Sequence, residues 1–193
     1  PGLIAVIVAI IAALITSLAI AREWETGTME QLLSTPVRPS ELVLGKMSAY
    51  FVLGLVDTVV SVIVGTGVFG VPMRGSVILL ALPVFLFLFG SLAWGLMISA
   101  LARSQVLAYQ LAMVTTFLPA FLLSGFVFSV ENMPAAIRAI THIVPARYFV
   151  SALKELFLKG AGPDVVLGEI GFLLAYAAAV FLVTTRAIRR KAA

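Results

Sequence analysis

The feature that most constrains this chain is a run from Leu3 to Ala21 that carries no charge and only Thr16 and Ser17 as polar residues. A helix of that length, at 1.5 Å per residue, crosses a hydrocarbon core of about 30 Å. Both hydroxyls can bond back to the preceding turn, so nothing in the run requires water. Comparable runs recur at about 47–69, 77–101, 106–124 and 165–185. Backbone polar groups in lipid must be satisfied within the segment, which leaves helices for spans of this kind. The chain is 62% hydrophobic and 11% charged, against roughly a quarter charged in a soluble domain. The expectation is an all-α integral membrane protein, a bundle of about five transmembrane helices. The first run lacks a basic segment before it and an A-x-A site after it, so it reads as a span and not as a signal peptide.

Several chemistries are not expected. There is no cysteine, hence no disulfide framework and no thiolate metal site. The net charge of +4 comes largely from the tail Arg186, Arg189, Arg190 and Lys191. No basic face is interleaved with exposed aromatics, so nucleic acid is not an expected partner. The single His142 has no carboxylates in register and reads as an interfacial polar residue; no metal site is expected. Gly45-Lys46 is followed by Met47 and lacks the earlier glycine of a phosphate loop. Ser124 and His142 could tempt a protease assignment, but no G-x-S-x-G surrounds the serine. No catalytic residue is proposed, and the chain by itself is not expected to be an enzyme.

The polar stretch Arg22–Lys46 holds four of the nine acidic residues, Glu23, Glu25, Glu30 and Glu41. Thr28 and Gln31 have capping-box spacing, which predicts a short helix over about 28–34. Met29, Leu32 and Leu33 fall on one face of it, with Glu30 and Gln31 off that face. Pro36 and Pro39 break the helix, and Ser40 is a good N-cap for the next span. Such a segment is either a solvated loop or a docking helix on the membrane surface. At 125–164, Asn132 is expected to cap a helix over about 132–143. A second helix over 147–159, ended by Gly160, carries an apolar stripe of Phe149, Leu153, Leu156 and Phe157. Both are too short to span, which predicts a re-entrant or interfacial hairpin.

Counting Lys and Arg sets the orientation. The side of 22–46, 102–105 and 186–193 has eight (Arg22, Arg38, Lys46, Arg103, Arg186, Arg189, Arg190, Lys191); the other has five (Arg74, Arg138, Arg147, Lys154, Lys159). The positive-inside rule makes the first side cytoplasmic, with residue 1 outside and the C-terminus inside. Asp57 falls near mid-membrane, where a carboxylate costs roughly 2.5–3.5 kcal/mol. It either fixes packing beside Gly54 or faces a translocation pathway or subunit interface. The second role would suit an ATP-independent secondary transporter or a membrane scaffold, the alternative from another class. No internal repeat supports it.

GTMEQLLSTPVRPSELVLGK around 27–46, GLVD at 54–57, LPAFLLSGFVFSVENMP at 118–134 and PARYF at 145–149 together resemble type-2 ABC export permeases of the multidrug-exporter-like branch. The order of the blocks is kept and they cover essentially the whole chain. The resemblance implies a permease subunit that moves a hydrophobic or amphipathic substrate out of the cytoplasm. It implies ATP and Mg bound by two cytosolic ABC ATPase subunits, with no cofactor in this chain, and a second permease subunit, identical or different. The 28–34 helix becomes the coupling helix, with Thr28, Met29, Glu30, Leu32 and Leu33 contacting the ATPase. Asp57, Phe117, Phe121 and Phe126 become candidates for the pathway or interface. Complete members have one more span before residue 1, often followed by an external domain. Relatives often carry Asn where this chain has Val144.

Overall fold

Residues 1–35, 38–102 and 104–192 are described by a computed structural model, without the side chains of Leu33, Arg190, Lys191 and Ala192. The helix break at Pro36 and the loop cation Arg103 lie outside the described residues. The fold is all-α. Helix α1 (Gly2–Glu25) leads into the short α2 (Thr28–Leu33), followed by α3 (Pro39–Gly67) and α4 (Val77–Ala102). The next span is composite: α5 (Gln105–Ala112), a π-helical turn (Met113–Phe117) and α6 (Leu118–Leu122). Helices α7 (Ala135–Thr141) and α8 (Pro145–Lys154) form the hairpin, and α9 (Pro163–Ala192) closes the chain. Five segments are long and apolar enough to cross a membrane: Gly2–Glu25, Pro39–Gly67, Val77–Ala102, Gln105–Leu122 and Pro163–Arg189.

Helices α1 and α4 form the centre, α9 lies against α4, α3 touches α1, α4 and α9, and α5 packs on α1 and α4. Lipid is as apolar as leucine, so the bundle is held by close packing and hydrogen bonds between helices rather than by exclusion from water. At the α1–α4 crossing the main chains come so close that a Cβ on Gly95 would lie 2.6 Å from the Ala13 carbonyl oxygen. One turn on, the Ser99 hydroxyl accepts the N–H groups of Ile20 (2.9 Å) and Ala21 (2.8 Å). The Thr184 hydroxyl is shared between the Val180 carbonyl of its own helix (2.8 Å) and the Ala93 carbonyl of α4 (3.1 Å), and so links α9 to α4. Ser99→Ala is expected to destabilise the bundle by about 1 kcal/mol, the usual scale of interhelical hydrogen bonds in membranes. A lowered midpoint of thermal unfolding in detergent, with the fold retained, is the measurement that checks it.

Three local expectations are corrected. Thr28 and Gln31 form no capping box: Gly27 is the N-cap, in a left-handed conformation (φ 73°). The Thr28 hydroxyl turns back to Thr26 Oγ1 at 3.0 Å instead. Ser40 is not an N-cap, because α3 begins at Pro39, where the fixed φ of proline suits a first helical position. The Glu41 carboxylate accepts the Arg38 N–H at 3.0 Å and closes that end. Asn132 does not begin a helix; it ends a 3-10 turn, Val130–Asn132. Met133, preceding Pro134, is forced extended (ψ 144°), so α7 starts only at Ala135.

The predicted stripe on α8 is buried: Phe149, Leu153, Leu156 and Phe157 belong to the main core. Phe149 stacks on Phe87 of α4 with ring centres 4.2 Å apart, pinning the hairpin to the bundle. The last turn, Glu155–Lys159, is π-helical and ends at Gly160 in a left-handed conformation (φ 62°). Glu155 and Lys159 form an i,i+4 ion pair at 2.6 Å.

Candidate docking end and hairpin cavity

The last turn of α1 places Glu23 and Glu25 on two different neighbours. Glu23 pairs with Lys46 of α3. The Glu25 carboxylate accepts the N–H of Gln105 at 2.8 Å and its side-chain amide at 2.5 Å, capping the start of α5. A carboxylate at a helix N-terminus satisfies orphan N–H groups and meets the positive end of the helix dipole. The end of α1 is therefore fastened to both α3 and α5, and α2 follows directly from it. Within α2, Met29 is only 2% exposed and packs into the main core, where Leu32 is half-buried. Thr28, Glu30 and Gln31 are exposed. The structure thus divides the proposed coupling residues: Met29 and Leu32 face the bundle, Thr28 and Glu30 face away. The Leu33 side chain lies outside the described residues. Of these two contacts only Glu23–Lys46 leaves a signal in the sequence, opposite charge at adjoining span ends; Glu25–Gln105 leaves none.

Phe117, Phe121 and Phe126 come together. Phe117 and Phe121 have ring centres 5.4 Å apart, and Phe121 meets Phe126 edge-on at 5.9 Å. Phe126 in turn lies against Gly2 at the start of α1, so this ladder is at the end opposite α2. Beside it is a cavity of about 420 Å³ between α1, α4, the composite span and α9, lined on the hairpin side by Ile140 and by Ile143 to Ala146. Its walls are almost wholly apolar, and none of the three phenylalanines lines it. The few polar groups in it cluster. The Trp94 indole N–H donates to the Thr115 hydroxyl (3.2 Å), which donates to the Leu111 carbonyl (2.7 Å). Thr116 Oγ1 is buried without a partner. The π turn of Met113–Phe117 carries both threonines, and such turns recur at functional sites. A cavity of this size and lining accepts an uncharged, mainly apolar molecule with a hydrogen-bonding group.

Asp57 is not part of this cavity. It sits on α3, one turn from Gly54, which is pressed against Leu88 of α4; its Oδ2 is buried without a partner.

A family model described as ABC-2 family transporter protein matches residues 1–186. The chain belongs to that family. It is 47% identical over 177 residues to the probable multidrug ABC transporter permease YbhS of Escherichia coli K12, covering 92% of this chain and 47% of that protein. It is 32% identical over 191 residues to the probable multidrug ABC transporter permease YbhR of the same organism, covering 99% and 52%. The linearmycin resistance permease protein LnrN of Bacillus subtilis 168 is 29% identical over 166 residues, covering 86% and 42%. The chain thus spans about half the length of the relatives it matches. ABC-2 membership does not favour an ATP-independent carrier built on Asp57.

Proposed function

We propose that this chain is the membrane part of a permease in an ATP-driven exporter of hydrophobic or amphipathic compounds. The ABC-2 match over residues 1–186 carries that reading. ATP and Mg are bound by separate cytosolic ABC ATPase subunits, and two permease subunits pair above them. The basic excess near 22–46 and 186–193 supports a cytoplasmic α2 and C-terminus, with residue 1 outside. Closure of the ATPase pair pushes α2. The push passes through Glu23–Lys46 to α3 and through Glu25–Gln105 to α5, and the closely packed α1–α4 crossing transmits it towards the hairpin end. The apolar cavity and the phenylalanine ladder stand on the exit side and take substrates by shape rather than by charge.

The test is ATP-dependent uptake of the lipophilic dye Hoechst 33342 by inverted membrane vesicles carrying the intact protein and its ATPase. Uptake is expected only with hydrolysable ATP. Ala120→Trp, which fills the cavity, is expected to reduce it at least about tenfold, equivalent to 1.4 kcal/mol. Uptake driven by a proton gradient without ATP would overturn the proposal.

A further inference from the structure

We infer that a second, polar pocket at the hairpin end binds an oxyanion of the phosphate class. It has a volume of about 360 Å³, and its walls include Ser124, Gly125, Glu131, Arg138, Arg147 and Lys154. This goes beyond the export proposal, since the pocket is separate from the apolar cavity and requires no ATPase.

Three cations from two helices converge there, and among the described residues each side chain donates to neutral oxygens. Arg138 donates to the main-chain carbonyls of Glu131 (2.6 Å) and Met133 (3.2 Å). Arg147 donates to the Thr141 hydroxyl at 2.5 Å, and Lys154 to the Gly125 carbonyl at 2.7 Å. These bonds fix the side chains in place and leave their charge uncompensated. Among the described residues the ion pairs are Glu23–Lys46 and Glu155–Lys159, and neither involves this cluster. Glu131 also lines the pocket, exposed and outside ion-pair distance of the three. Glu169, on the neighbouring α9, accepts from the Ser151 hydroxyl at 3.0 Å. With three cations and one acid, the pocket wall is net positive.

A second observation points to a ligand. Ser124 is among the residues of the same pocket wall and is 2% exposed, and its buried hydroxyl has no hydrogen-bond partner among the described residues. A buried hydroxyl left unpaired beside three held cations is completed by an acceptor that reaches all of them. A guanidinium has five N–H donors and an ammonium three, so donors remain after the bonds above are counted. Planar guanidinium groups beside an ammonium match the spread of oxygens on a phosphate. The placement also runs against the general bias of basic residues in these proteins, which favours the end carrying α2. The phosphate can come from a phospholipid headgroup or from free phosphate; both present the same oxygens.

The test uses the intact protein and two probes. Native mass spectrometry after reconstitution in phosphatidylglycerol nanodiscs reads retained lipid, and ³¹P line broadening in detergent reads inorganic phosphate. At least one probe is expected to bind. Arg138→Gln, which removes a cation held on exposed turns, should lower retention or affinity about tenfold. Lys154 also holds the Gly125 carbonyl, so its companion variant is Lys154→Arg, which keeps the charge and should bind as wild type. Lipid retained without phosphate binding assigns the pocket to a headgroup, and phosphate alone assigns it to a soluble anion; both sustain the inference. If neither probe binds, or Arg138→Gln binds as wild type does, the inference is overturned.

Discussion

Gly95→Leu is expected to leave no folded bundle. A Cβ at position 95 would lie 1.9 Å from Thr16 Oγ1, 2.6 Å from the Ala13 carbonyl oxygen and 3.1 Å from the Ala13 Cα. The threonine can rotate away, but the Ala13 atoms are main chain inside the central helix. Overpacking in an ordinary core costs about 1–3 kcal/mol because side chains shift. Here α1 and α4 must move apart, and the Ser99 bonds to Ile20 and Ala21 one turn away are lost with them. The combined penalty is expected to exceed about 4 kcal/mol, in the range reserved for disruption of a core. Size-exclusion chromatography in mild detergent should show aggregate for Gly95→Leu and a weakened monodisperse peak for Gly95→Ala. Gly171→Ala is the control: nothing lies within 4 Å of the added carbon, so its profile should match wild type.

Met29→Asp is expected to abolish transport while the spans still fold. Met29 is the side chain that seats α2 on the bundle, at 2% exposure. A carboxylate there is either buried unpaired, which is costly, or carried out to water with the whole of α2. The second outcome requires only six residues, Thr28–Leu33, to detach, and leaves the α1–α4 centre untouched. Dye uptake per folded protein should fall roughly a hundredfold, corresponding to about 2.7 kcal/mol. Met29→Leu conserves apolar volume and should stay within about twofold of wild type. Equal loss in both variants would mean that α2 depends on the methionine for something other than its seating.

The spans were legible because membrane helices are written as uninterrupted apolar runs, and all five fall where those runs lie. Their ends were less so. The second apolar run starts at about 47, but α3 begins at Pro39 because the capping contact of Glu41 adds polar turns that hydropathy cannot see. Two of the three misplaced caps, those at Thr28 and Asn132, have a common cause. Each satisfies a local motif, and each is overridden by a neighbour with a stronger backbone preference, Gly27 in one case and Pro134 in the other.

The inward and outward faces of α2 followed from spacing, since Met29 and Leu32 are one turn apart. The neighbours that fasten its root could not be read in this way: Glu23 to Lys46 spans 23 positions and Glu25 to Gln105 spans 80. The apolar cavity draws on four spans and the hairpin, and the basic pocket exists only because α7 and α8 fold back over Ser124 and Gly125. In the sequence, Arg138, Arg147 and Lys154 read only as loop charges used for orientation. The π turn at Met113–Phe117 leaves no compositional mark at all.

The central claim, that α2 is where an ATPase engages this permease, is tested most directly by co-purification. The intact tagged protein is extracted from its native membrane in mild detergent, as wild type and as Glu30→Arg. The Glu30 side chain is exposed on α2, so the variant should fold and elute as wild type does. The account predicts an ABC ATPase retained by wild type and reduced at least about tenfold by the charge reversal. Wild type that retains no ATPase, or a charge-reversed protein that retains it undiminished, would contradict it.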